Sequence, residues 1–148
     1  MLRAIVVCLL ALLATAVAVA AEAPERPAVR FAAVDVYVDP GRQPLAAYQF
    51  EFTAAADRVK LVGVEGGESA AFASAPYYDP SALMHDRIVV AAFSTGRDLP
   101  SGRTRVARLH LMITGRGEPH YGLKLQAAAG SNGSGIPATA SLEPGEQP

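Results

Sequence analysis

A β-sandwich built only from strands is the fold class this sequence predicts, and three observations predict it. Apolar residues recur at every second position in a series of short runs: Val34, Val36 and Val38, then Tyr48, Phe50 and Phe52, then Ala107, Leu109, Leu111 and Ile113, then Tyr121, Leu123 and Leu125. That period of two belongs to a strand with one buried face. Gly and Pro turn signals separate the runs at intervals of roughly 8–12 residues, the spacing of a sandwich or barrel. No stretch after the N-terminal segment carries a helical period of useful length. Together these predict about eight to nine short strands.

Taken in order, the chain opens with Arg3, an apolar run rich in Ala, Leu and Val, and the small residues Ala18-Val19-Ala20. This is the grammar of a signal peptide over residues 1–20, and the run is short of the roughly 20 apolar residues a membrane span needs. The expected product is a secreted protein, extracellular or periplasmic, with no membrane attachment after cleavage. Residues 21–28 (AEAPERPA) are Pro-rich and polar and read as a flexible lead-in. A single domain is expected over 29–142, followed by a disordered tail at 143–148.

Within the domain, the first strand alternates Val34, Val36 and Val38 with Asp35, Tyr37 and Asp39, and Asp39-Pro40-Gly41 ends it. In Leu45–Thr53 the rings of Tyr48, Phe50 and Phe52 share one side and Ala47, Gln49 and Glu51 the other; three aromatics on one side belong in a core. Val59 to Val64 gives a strand stopped by Gly66-Gly67, with a weak strand expected at Ala70 to Ser74. Pro76-Tyr77-Tyr78-Asp79-Pro80 reads as a rigid turn, and Ser81 to His85 as at most one helical turn. Asp86 to Gly115 reads as a hairpin: a continuous apolar run from Ile88 to Phe93, turn formers from Thr95 to Gly102, then the Ala107 to Ile113 alternation. Tyr121 to Gln126 is a further strand, Gly130 to Gly135 a flexible loop, and Ile136 to Leu142 a closing strand.

Composition narrows the function classes. The 148 residues contain 13 Lys+Arg and 14 Asp+Glu, a net charge of −1, with no run of like charges longer than two. This balance does not suggest a nucleic-acid or anionic-membrane partner. The one cysteine, Cys8, lies in the expected signal segment, so the exported domain has neither disulfides nor thiolate metal ligands. The histidines His85, His110 and His120 fit no metal-ligand spacing, and no calcium-loop pattern surrounds Asp35 or Asp39. Ser94 and Ser101 are turn serines without a nucleophile elbow. Glu51 and Glu65 are the one carboxylate pair to consider for glycoside hydrolysis, which needs them roughly 5–9.5 Å apart. Asn132-Gly133-Ser134 matches a glycosylation sequon but reads as loop. The expectation is a protein that is not an enzyme, with no catalytic residues, no cofactor and no metal.

The ordered set LAAYQFEF (45–52), LVGVEGG (61–67), IVVAAFS (88–94), Ser101-Gly102 and ARLHLMI (107–113) resembles the cohesin family, over about residues 31 to 136. That resemblance implies jelly-roll topology for the sandwich and a protein-binding role, with dockerin-bearing proteins as partners and any calcium belonging to the dockerin. This sequence departs from the family at the outward Asn-x-Asp pair of the second strand, replaced by Ala47 and Gln49, and at the Tyr-Asp-Pro that follows, replaced by Ala54-Ala55-Ala56.

The family's recognition surface is a sheet face formed by the strands matching Leu45–Thr53, Ile88–Ser94 and Tyr121–Gln126. With Phe93 taken as inward on account of its size, the outward set is Ala47, Gln49, Glu51, Ile88, Val90, Ala92, Lys124 and Gln126, an apolar centre with a polar rim. Burial of that face under the loop Gly66 to Tyr78 is the rival arrangement. Two other functions remain open: a carbohydrate-binding module acting in polysaccharide breakdown, for which Tyr37, Tyr77, Tyr78 and Tyr121 are the candidate exposed rings, and a structural sandwich of an envelope or export assembly.

Overall fold

The computed structural model describes residues 26–55 and 57–146, so the expected signal peptide and most of the lead-in lie outside the described residues. Eight strands are formed among the described residues: β1 (Val29–Asp39), β2 (Ala47–Ala54), β3 (Val59–Gly66), β4 (Tyr77–Tyr78), β5 (Arg87–Phe93), β6 (Thr104–Thr114), β7 (Tyr121–Ala129) and β8 (Thr139–Pro144). They make two four-stranded sheets, ordered β3-β6-β1-β8 and β4-β5-β2-β7. Every strand pairing is antiparallel.

The sheets hold β1 beside β8, β2 beside β7, β3 beside β6 and β4 beside β5. These four pairs are successive rungs of one folded antiparallel ribbon, which is the wiring of a jelly roll. Consecutive strands therefore change sheet at every step except β4 to β5. The Asp86–Gly115 segment is an instance: β5 and β6 are not a hairpin but lie in opposite sheets. Its connecting loop docks instead on the turn after β1. Leu45 N donates to Pro100 O at 2.8 Å and Gly102 N to Gly41 O at 2.6 Å. Each strand has an apolar side, and facing those sides across one core buries both, which hairpin pairing within one sheet would not do.

The core is the set of alternating residues expected. Val34, Val36, Val38, Phe50, Phe52, Leu109, Leu111 and Ile113 are buried, together with Leu61, Ile88 and Val90. Tyr48 joins them ring first, stacked on Phe50 at 5.9 Å and edge-on to Phe72 at 5.2 Å. Its hydroxyl donates to Val106 O at 2.9 Å, so the phenol enters the core without an unmet polar atom.

Several local expectations are corrected. Ala70–Phe72 is a 3₁₀ turn, not a strand: Ser69 Oγ accepts from Ala71 N at 3.3 Å, and the turn drops Phe72 into the core. Tyr77-Tyr78 is not a free turn but the short strand β4, paired with Ala91 and Val90 of β5. Segment 66–78 therefore closes the end and edge of the sandwich and does not lie over a sheet face. Residues 130–135 form a hydrogen-bonded turn, with Gly133 N donating to Gly130 O at 2.9 Å and Ser134 N to Asn132 Oδ1 at 3.0 Å. Strand β8 runs to Pro144, into the stretch expected to be tail.

The exposed sheet edges are interrupted. Pro76 and Pro80 bracket β4, register shifts mark β3 near Val62 and β7 near Gln126, Pro137 precedes β8 and Pro144 ends it. Prolines and bulges blunt an edge against further strand addition, which leaves the flat faces as the surfaces available to a partner.

Candidate interaction face

Antiparallel partners point their side chains to the same side of a sheet, so the register fixes what each face carries. Inside the second sheet, Phe52 pairs with Ile88, Phe50 with Val90 and Tyr48 with Ala92. Because the three aromatics point into the core, Ile88, Val90 and Ala92 do too. Ile88 is 1% and Val90 0% exposed, and Ala92 packs against the core. Their expected place on the outer face is overturned. The premise that failed was the size of Phe93, which is 62% exposed.

Turned outward are Arg87, Val89, Ala91 and Phe93 of β5, beside Thr53, Glu51, Gln49 and Ala47 of β2. The other five expected residues, Ala47, Gln49, Glu51, Lys124 and Gln126, do come together here. Glu51 faces Lys124 across β2 and β7, and Gln49 Nε2 donates to Gln126 Oε1 at 2.7 Å. Glu51 also accepts from the Arg87 guanidinium, whose side chain is 62% exposed.

Along the strands the face is divided. At one end the rings of Tyr77 and Phe93 stack, with centroids 6.0 Å apart and planes 9° from parallel, beside a depression lined by Ala47, Ala91, Ala127 and Ala129. At the other end stand Arg87, Glu51 and Lys124. The sequence names Tyr77 only as a candidate exposed ring for sugar binding, and the residues that sequence reasoning missed are Arg87, Val89, Ala91 and Phe93. A signal for the last three was present: Arg87 opens the strand and has to face water, so counting by twos from it places Val89, Ala91 and Phe93 outside.

The outer face of the first sheet is of another kind. Arg108 binds Asp35 through Nε at 2.7 Å and Nη2 at 2.9 Å, and Arg105 approaches the same carboxylate at 3.9 Å. The hydrogen bond from Arg108 holds the Asp35 carboxyl below its ordinary pKa against the opposing effect of burial. His110 Nε2 meets Glu65 at 2.9 Å, Arg103 pairs with Glu143, and the Arg103 guanidinium lies 3.6 Å over the Tyr37 ring. Here most charges are matched within the chain, while Lys60, outward on β3, stands exposed.

Glu51 and Glu65 lie on opposite outer faces, Glu51 beside Arg87 and Glu65 beside His110, and are not a hydrolytic pair. His110 sits on β6, whereas His85 and His120 lie in the segments before β5 and β7. Among the described residues no group of three or more His, Cys, Asp or Glu converges to hold a metal ion.

No family model and no curated protein matches the chain. Among solved structures it is similar to a cohesin in the crystal structure of a cohesin–dockerin complex at pH 5.5. The TM-score is 0.56 at 14% identity, over 73% of this chain and 82% of that one. The fold is thus a cohesin-like β-sandwich.

Proposed function

We propose that this chain is an exported, non-catalytic interaction module that docks a dockerin-type protein on the outer face of β4-β5-β2-β7. The observation that carries the reading is the Tyr77–Phe93 pair: two large rings, 68% and 62% exposed, stand beside a patch of alanines on one sheet face. Exposed apolar surface of this kind, rimmed by polar groups, marks a contact site. The opposite face also exposes a ring, Phe31 at 64%, but its centre is taken up by charges paired within the chain, Asp35 with Arg108 foremost.

Carbohydrate binding is less well supported by the same rings. A sugar platform needs aromatic faces open to solvent, yet Tyr77 and Phe93 stack on each other, Arg103 covers Tyr37, and Tyr121 packs on Phe52 at 5.4 Å.

The test is capture of purified dockerin domains from the source organism by the mature protein, by Phe93→Ser and by Ser141→Arg, which alters an exposed residue on the other face. Loss of capture with Phe93→Ser alone supports the reading. Equal capture by all three proteins, or capture by none, refutes it.

A further inference from the structure

Resting on that docking reading, we infer that the partner is recognised in two parts: a large apolar side chain seats against Tyr77 and Phe93, and carboxylates about 20 Å away meet Arg87 and Lys124. The distance follows from the register. Phe93 and Arg87 are the two ends of β5, six steps apart, and a strand rises about 3.3 Å per residue. Four strands roughly 4.8 Å apart span about 14 Å between the outermost axes, so the strand surface is on the order of 300 Å². That is well under the roughly 800 Å² per partner of a standard interface. A contact centred on so small an area depends on a few strong anchors, and exposed aromatic and arginine side chains are the types that serve as such anchors.

The second part follows from charge. Among the outward positions of these strands Glu51 is the single carboxylate, set against Arg87 and Lys124. Glu51 is bound to Arg87 and its side chain is only 21% exposed, while the Arg87 side chain remains 62% exposed. What this end shows to an approaching molecule is therefore cationic. Acidic groups on the partner would gain an ion pair here and basic ones would be repelled, so the cationic end sets orientation as well as attraction. The outward strand positions at the aromatic end carry no charge, and the two ends cannot be exchanged.

The experiment measures binding of those purified dockerin domains to the full mature chain by titration calorimetry in 50 and 300 mM salt. It compares wild type, Lys124→Glu, Arg87→Gln and Phe93→Ser. Lys124→Glu should weaken binding about tenfold or more at low salt and remove most of the salt dependence, and changing a recognition-surface carboxylate of the bound domain to lysine should restore affinity to this variant. Circular dichroism of each variant separates lost binding from lost folding. If Phe93→Ser abolishes binding while Lys124→Glu and Arg87→Gln bind as wild type does, the acidic half of the proposal is overturned and docking on this face stands. If no domain binds, or Phe93→Ser binds as wild type does, the docking reading itself falls and this inference with it.

Discussion

Arg108 grips both oxygens of Asp35, Nε to Oδ1 at 2.7 Å and Nη2 to Oδ2 at 2.9 Å, across β6 and β1 in the centre of the first sheet. Asp35 is nearly buried, and its pKa is held below 3.8 chiefly by this hydrogen bond. A depressed carboxyl pKa adds stability that is complete above the unfolded value and lost as pH falls through the folded one. Asp35→Asn should therefore lower unfolding free energy by about 2 kcal/mol at pH 7 and by much less at pH 2, as read from urea midpoints at both. An equal loss at both pH values would show that packing, not charge, is what Asp35 supplies.

A second buried polar contact predicts the alkaline limb. Burial drives the Tyr48 phenol well above its ordinary value of 10.0 while its hydroxyl donates to Val106 O. The folded state keeps this proton where the unfolded chain releases it, so stability should be complete below about pH 10 and decline above it. Tyr48→Phe should remove that contribution to the decline and, by leaving the Val106 carbonyl unpaired, cost about 1–3 kcal/mol at pH 7. Denaturant midpoints between pH 7 and 11 for both proteins check it.

How much of this was legible in the sequence depended on whether one strand could settle its own orientation. In β2 and β6 polar and apolar residues alternate, so Phe50, Leu109 and Leu111 were placed in the core from the sequence alone, and the structure buries them. In β5 the run Ile88 to Phe93 is apolar in both registers, and residue size pointed the wrong way. Only pairing with Tyr48, Phe50 and Phe52 resolves it. The jelly roll came from the family resemblance, while the crossing from β5 to β6 was hidden from the residues themselves: a loop of turn formers between two apolar runs reads the same whether it returns within a sheet or crosses to the other. Strand β4 is two residues long and has no period to detect.

The Gly66-Gly67 stop has a steric cause beyond turn formation. A Cβ on Gly67 would lie 2.9 Å from Val106 Cα and closer still to the Arg105 carbonyl oxygen, both backbone atoms of β6. Neither can step aside without parting the strands. Gly67→Ala should cost about 1–3 kcal/mol, lowering the melting temperature by about 5–10 °C. Gly63→Ala is the comparison, since its Cβ would meet only the His110 side chain at 3.6 Å, an ordinary contact. Equal melting of Gly67→Ala and the wild type would refute the close approach.

The assignment of faces in β5 is tested by placing the same charge at two positions three residues apart. Val90 is 0% exposed, paired with Phe50 inside the sandwich, whereas Phe93 is 62% exposed on the outer face. An aspartate at position 90 would be buried among apolar side chains with no cation facing it, so it must take up a proton or draw in water. Either response costs several kcal/mol, a large share of a marginal domain's stability. Val90→Asp should therefore fail to fold or melt far below wild type at pH 7. Phe93→Asp places its carboxylate in water and gives up the ring contact with Tyr77, so folding should change by about 1 kcal/mol while partner capture is lost. Thermal melts of the two variants decide the register before any partner is known. A well-folded Val90→Asp alongside an unfolded Phe93→Asp would mean that β5 is turned the other way and that the docking face has to be redrawn.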